Sequence, residues 1–446
     1  MPNRTDSSAA RRPRTVVVGA GVAGLTLAER LLNADNGADV IVLEREDAPG
    51  GLARTFEYDG FHFDIGPHRF YTSDIDVERY LLEILGEEHI TITRASSVYM
   101  EGKYRNWPLT LAAVLGLPVP VLLRSLADMF RRKQSIESAN FADHIVARYG
   151  INLYEYFFRG YTRKFTGMEA EKLHLDWAAA GVNRAVIDKK VKADSLFSLV
   201  KGVLLPKPAA TSFYYTSTGG IQTFCEMQRT RIEAMGGEVR LCAPAKGIET
   251  RDGRVTGVQL EDGTFIEADI VHWSAPVSIL FPEAGFRFMN TLIFNIGLAR
   301  RSGNDYQWCY FGQEDILFSR LTVPRSFRED TVPEGRDSLV VEITAADGST
   351  EWNDPSSIMD RLLDDLERVD ALRREDILFV DWKRVPETYP LYDLEYRERM
   401  AGITLPEGLH LLGRCGSFWY NNMDHSIGQA LAAARGEDYR KEFWEN

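Results

Sequence analysis

The chain has 446 residues, 44% apolar and 26% charged, the composition of an ordinary soluble globular protein with two or three lobes rather than one core. Its formal net charge of −13 argues against nucleic acid or an anionic membrane as the main partner, so an anionic substrate would need a local basic pocket. The four cysteines, Cys225, Cys242, Cys309 and Cys415, are scattered without metal-ligand spacing, which fits a reducing cytoplasm and no metal site.

Residues 1–14 carry Arg4, Arg11, Arg12 and Arg14 and read as a disordered tail. A twin-arginine export signal at Arg11-Arg12 is excluded because the apolar run behind it is itself a strand of the fold. That strand, Thr15 to Val18, runs into Gly19-Ala20-Gly21-Val22-Ala23-Gly24, a helix pattern, and a second strand, Asp39 to Leu43, ending in Glu44. Gly19 allows the tight turn, Gly21 lets backbone approach a pyrophosphate, and Gly24 lets helix and strand pack closely. The helix N-terminus offers N–H groups and partial positive charge to the phosphates, and Glu44 accepts from a ribose hydroxyl. Strand, turn, helix, strand and acid fall in the order a dinucleotide site requires. The Gly50-Gly51 pair with Arg54 and Thr55 then resembles the extended fingerprint of the glutathione-reductase-type FAD fold, with Arg54 on the pyrophosphate.

Further along, Leu109 to Leu123 is apolar but too short to span a bilayer, and Pro118 and Pro120 break it. Phe141 to Tyr149 and Leu153 to Phe165 have helical periodicity. From Gly236 to Pro276 short alternating strands are broken by Asp252-Gly253 and Asp262-Gly263, both hairpin signals, and end in a strand over Asp269 to Trp273. Phe286 to Ile343 is again β-rich, Ser356 to Arg368 helical, Leu409 to Gly413 a buried strand, and His425 to Arg435 a closing helix. The expected architecture is α/β: FAD-binding segments at 15–90, 216–280 and 391–446, a helical cap and substrate domain at 91–215, and a mixed β substrate domain at 281–390.

Three blocks narrow the reading. They are Phe63-Asp64-Ile65-Gly66-Pro67-His68-Arg69-Phe70-Tyr71-Thr72, Phe157 to Gly167 (FFRGYTRKFTG), and Gly413 to Ser426 (GRCGSFWYNNMDHS). With the N-terminus, they resemble the UDP-galactopyranose mutase family and its protoporphyrinogen-oxidase-like and amine-oxidase-like relatives. In that family the N5 of a reduced flavin attacks the anomeric carbon of a nucleotide sugar, and pyranose and furanose forms interconvert without net redox change. The resemblance thus implies FAD, active when reduced by NAD(P)H or a reductase, and a nucleotide-sugar substrate.

It also implies roles. Gly66 and His68 meet the flavin near its reactive nitrogen. Tyr161 stacks on the base, Arg184 clamps the diphosphate, and Arg414 and Tyr420 stand beside the flavin and the diphosphate. Met423, Asp424 and Ser426 serve the flavin's pyrimidine end. The chain departs from the pattern at Thr166, where the family has a tryptophan against the base. Asn290 stands where a second phosphate arginine is expected, and Asn422 where an aspartate is. Losing one charge-assisted phosphate contact costs about 1.5–3 kcal/mol. The leading expectation is a flavin-dependent sugar mutase with His68, Arg184 and Tyr420 as its catalytic residues. The alternatives are an FAD oxidoreductase of the protoporphyrinogen-oxidase or amine-oxidase type, and a flavin-bound non-catalytic partner.

Overall fold

The computed structural model describes residues 12–35, 37–107, 118–131, 140–178 and 212–439. Arg14–Val18 is the central strand of a five-stranded parallel sheet. Asp39–Leu43 and Glu238–Arg240 lie to one side of it, Ile270–Trp273 and Leu409–Leu411 to the other. Its inner strands are mostly apolar, with His272 as a buried exception, because both faces are covered. Val17, Val40 and Val42 face helices Val22–Ala34, Gln222–Ala234 and Met423–Ala434. Val16, Val18, Ile41 and Leu43 face an antiparallel meander of Ala245–Arg251, Arg254–Leu260 and Phe265–Glu267. The two Asp-Gly pairs make its turns, as expected. The sheet draws strands from three separate stretches of chain, and the fold class is the one read from the sequence.

A second sheet has seven strands. Their order is Ile377–Pro390, Phe288–Leu298, Asp337–Ala345, Arg320–Thr322, Trp308–Phe311, Ser96–Met100 and Lys103–Trp107. On one face Leu292, Phe294, Ile296, Leu339 and Val341 pack on Leu362 and Leu366 of helix Met359–Arg368. Burying each of those helix leucines contributes about 1.5–3 kcal/mol. On the other face Ile293 and Val340 pack on Phe61, Phe63 and Ile65, from the hairpin Thr55–Tyr58 and Phe61–Asp64. The loop after that hairpin, which carries His68, therefore lies between the two sheets. Residues 96–107 were expected in the cap but are strands here: Trp308 to Phe311 pairs parallel with Ser96 to Tyr99.

The third core is helical. Phe141–Tyr149 starts at Asn140, whose side chain accepts from the Asp143 N–H. The chain then runs helically from Ile151 to Thr166, with a π-helical stretch at Tyr154–Arg159. Phe141, Tyr149, Tyr154 and Phe165 pack on Trp177, Tyr392, Tyr396 and Phe418. No helix among the described residues is long and apolar enough to cross a membrane.

Candidate functional site

The dinucleotide end is built from backbone. Gly19 has φ +101°, a conformation reserved for glycine, and an added Cβ would stand 2.4 Å from Ser274 Oγ. A Cβ on Gly24 would stand 2.0 Å from the Gly19 carbonyl oxygen, so this glycine serves packing. Gly21 differs: its nearest neighbours, Gly50 O and Gly51 Cα, lie at 3.8 and 3.9 Å. These are ordinary contact distances, so no described residue excludes a Cβ there, and a ligand approaching the helix N-terminus is left as the reason for glycine. Gly21 caps helix Val22–Ala34 with no side-chain hydrogen bond, and no acid occupies the first turn. The Gly50 N–H donates to Ala20 O at 2.8 Å, bringing Gly50 and Gly51 beside Gly21. Glu44 is buried at the strand end. Its carboxylate accepts from Ala20 N–H at 2.8 Å and Glu46 N–H at 3.0 Å, while burial raises its pKa. Arg54 pairs with Asp47 and Glu46, and its Nε is buried with no acceptor.

The closing helix, Met423–Ala434, supplies a second N-terminus. Its cap, Asn422, is exposed, extended and makes no side-chain cap bond, so the first-turn N–H groups at Met423 and Asp424 carry no such cap. Ser426 is spent on the Asn421 side chain at 3.1 Å, and Asn421 Nδ2 is left buried without an acceptor. The two helices pack together, and a Cβ on Gly413 would come within 3.0 Å of Ala23 Cβ. Two helix N-termini without side-chain caps, a glycine at position 21 that no described neighbour requires, and orphaned donors on Arg54 and Asn421 fit a flavin dinucleotide. They would hold its pyrophosphate at Gly21–Ala23, its ribose at Glu44 and its ring at Met423–Asp424.

Between the sheets the chain gathers cations and tyrosines. Gly66 has φ +75°, and a Cβ there would stand 2.7 Å from Glu342 Oε1. His68 follows, its Nδ1 buried and unsatisfied. Burial, reinforced by Arg414, Arg320 and Arg69, pushes its pKa down to about 3, so it is neutral at physiological pH. Arg320 forks onto Glu342, with Nε to Oε1 at 2.5 Å, and reaches the Tyr389 hydroxyl at 3.4 Å. Burial opposes its charge, but Glu342 outweighs burial and keeps it protonated. Arg414 donates to Asn421 O at 2.6 and 3.0 Å and to Thr388 O at 3.1 Å, under the Tyr389 and Tyr420 rings. It is thus the brace of the 417–422 loop. Tyr161 stacks on Phe165 and meets Tyr310 edge-on; Tyr420 packs on Tyr389 and Trp177. Lys164 is half-buried, donating to Phe311 O and Phe318 O, and desolvation pushes its pKa down to about 7.

Three sequence-derived site residues need comment. Arg184 falls outside the described residues. Thr166 is buried, its hydroxyl donating to Thr162 O at 2.7 Å and accepting from Met168 N–H, so it finishes a helix. Asn290 Oδ1 accepts from Glu387 N–H at 2.9 Å. Glu387 has φ +55° and lies in a bulge where Thr291 pairs with Val385 but Met289 with Tyr389. Asn290 therefore fixes the bulge that turns Tyr389 toward Arg414. Sequence reasoning missed Arg320, whose partner Glu342 was visible only once the sheet register was known.

Residues 17–84 match the family model "NAD(P)-binding Rossmann-like domain". The chain is 26% identical over 387 residues to a zeta-carotene-forming phytoene desaturase of Myxococcus xanthus, covering 75% of this chain and 72% of that protein. It is 28% identical over 165 residues to a probable UDP-galactopyranose mutase of Klebsiella pneumoniae, covering 35% and 42%. Among solved structures, reduced UDP-galactopyranose mutase superposes with a TM-score of 0.82 at 20% identity, over 95% of this chain and 94% of the other. A putative protoporphyrinogen oxidase from Exiguobacterium superposes at 0.72 and 17% identity, over 96% and 100%. The chain thus has the fold of reduced UDP-galactopyranose mutase and of the putative protoporphyrinogen oxidase, with a Rossmann-like dinucleotide-binding segment at its start.

Proposed function

We propose that the chain is a flavin-dependent mutase acting on a nucleotide-activated sugar, interconverting its ring forms. The observation that carries this reading is the chemistry of the side-chain cluster around His68. Arg320 and Arg414 stand there among Tyr161, Tyr389 and Tyr420. Such a wall of guanidinium groups and phenols suits a polar, anionic substrate. A polyene hydrocarbon would need an apolar tunnel instead. Reduced FAD, when bound, would supply the nucleophile toward the anomeric carbon. Arg320, held rigid and charged by Glu342, stabilises the departing diphosphate, and we assign Arg184 to the same task. Tyr161 offers a ring to the base, Tyr420 borders the reacting sugar, and neutral His68 presents a hydrogen-bonding nitrogen without a competing charge. We place the protein in the reducing cytoplasm, with NAD(P)H or a reductase as electron source.

The sequence relatives favour a second reading, oxidation of a substrate by FAD, and one experiment separates the two. The purified protein is reduced with dithionite without oxygen and incubated with a panel of nucleotide sugars, with products resolved by chromatography. The mutase reading expects ring-form conversion by reduced protein only, with no oxidant consumed. Conversion that needs oxidised flavin, or consumes oxygen stoichiometrically, overturns it.

A further inference from the structure

Most deeply placed arginines here meet a carboxylate: Arg30 with Glu29, Arg320 with Glu342, Arg325 with Asp337, Arg328 with Asp330 and Arg399 with Asp393. Arg69 and Arg94 do not. The Arg69 guanidinium donates to Pro67 O at 2.7 Å, and Arg94 Nε donates to Ser96 Oγ at 2.9 Å. Among the described residues no carboxylate lies within ion-pair distance of either. Both stand over one buried indole: the guanidinium carbons lie 4.4 Å (Arg69) and 5.6 Å (Arg94) from the Trp308 ring centre. Arg69 also lies over Phe213 at 5.2 Å. Burial lowers the pKa of both, Arg69 to about 10, and their mutual repulsion adds to this for Arg69.

Cation–π contact with Trp308 offsets part of the cost of placing two like charges together. It cannot neutralise them. Each guanidinium has five N–H donors, so most of their hydrogen-bonding capacity is unspent among the described residues. The Tyr310 phenol lies in the field of Arg69, Arg94 and Arg320, and its ring meets that of Tyr161. Tyr310 thus links the pair to Arg320 and Tyr161, in the cluster assigned to the substrate, and Arg69 follows His68 directly in the chain.

We propose that Arg69 and Arg94 form a second oxyanion subsite, separate from the Arg320 site, which takes a carboxylate or phosphate carried by the substrate. Under the mutase reading, on which the identity of the carrier rests, the substrate is a nucleotide sugar whose sugar bears an acidic group. Two guanidiniums held on one aromatic platform, each with forked donors to spare, match the demands of a planar carboxylate or a phosphate edge.

The test is isothermal titration of the flavin-loaded protein with uridine diphosphate glucuronate, uridine diphosphate glucose and, separately, inorganic phosphate. The same titrations are run on Arg94→Gln and Arg94→Lys, with flavin content and melting temperature as folding controls. The expected result is at least tenfold preference of the parent for glucuronate over glucose, collapsing to within about twofold in Arg94→Gln and partly kept in Arg94→Lys. Equal parental affinities, or a preference unchanged in both variants, overturn the subsite and leave the mutase reading standing. If the parent binds no nucleotide sugar, the mutase reading falls and phosphate decides the subsite. Saturable phosphate binding weakened tenfold by Arg94→Gln upholds it; phosphate binding that is absent or indifferent to Arg94 overturns it.

Discussion

Gly21 and Gly24 sit three residues apart in one turn, yet alanine should damage them by different mechanisms. At Gly24 the new Cβ would lie 2.0 Å from the Gly19 carbonyl oxygen and 3.1 Å from Val17 Cγ1. The oxygen is backbone at the head of the central sheet and cannot swing aside. Overpacking costs about 1–3 kcal/mol, and so short a contact belongs at the upper end, ~3 kcal/mol. The cost should appear with or without flavin. At Gly21 the Cβ would meet Gly50 O at 3.8 Å and Gly51 Cα at 3.9 Å, both ordinary contacts, and φ −81°, ψ 178° suits alanine. Relief of unfolded-chain entropy should leave flavin-free Gly21→Ala equal to the parent or about 0.4–1 kcal/mol more stable. What it loses is the ligand: flavin at a hundredfold its Kd stabilises by about 2.7 kcal/mol, and that increment should vanish. Thermal unfolding of stripped and reconstituted protein, with flavin absorbance per chain, separates the two. A stripped Gly21→Ala that melts as low as stripped Gly24→Ala, or one that retains full flavin, refutes the reasoning.

Glu342→Gln leaves Arg320 buried without its counter-charge and should cost about 3–5 kcal/mol, read from the denaturant midpoint; a change under 1 kcal/mol would show that water already screens the pair. His68→Ala should keep its flavin yet turn over far more slowly when reduced, and the parent pH–rate profile should show no His68 ionisation between pH 5 and 8, since that pKa is held near 3. His272 and His410 stack at 4.9 Å between neighbouring strands, and burial lowers both pKa values, His272 to about 3. The unfolded imidazoles take protons below about 6.5 while the native ones resist, so stability present above that pH should drain away as pH falls toward 3. His272→Leu should flatten that slope in urea titrations from pH 7 to 4; an unchanged slope assigns the acid sensitivity elsewhere.

The cofactor half was legible because its rules are local. Strand, glycine spacing, helix and acid are contiguous from Thr15 to Glu44, and each has a steric reason readable without a partner. The substrate half is a matter of register. Arg320 sits in a three-residue strand whose pattern gives no hint of burial, and only its pairing opposite Glu342 makes it a fixed cation. Asn290 looked like a lost phosphate ligand because sequence counting cannot foresee a bulge at Glu387. Pro386 disguised the 14-residue strand Ile377–Pro390, since proline is tolerated in strands chiefly at such irregularities. Thr166 stood in a block that matched the family, and its hydroxyl turned out to close a helix.

The parallel pairing of Ser96–Tyr99 with Trp308–Phe311 bears on how the chain is made. Residues 100–307 separate these partners in the sequence. At ~5–20 residues per second, a ribosome needs roughly 10–40 s after Trp107 to supply the missing strand. Throughout that interval the hairpin Ser96–Trp107 has an open edge, and Leu409–Leu411, the last strand of the nucleotide sheet, comes later still. Neither lobe can finish on the nascent chain before the other has begun. The protein should therefore be a poor candidate for expression as separate lobes, and its yield in a foreign host should respond to chaperone supply and growth temperature more than its native stability would suggest.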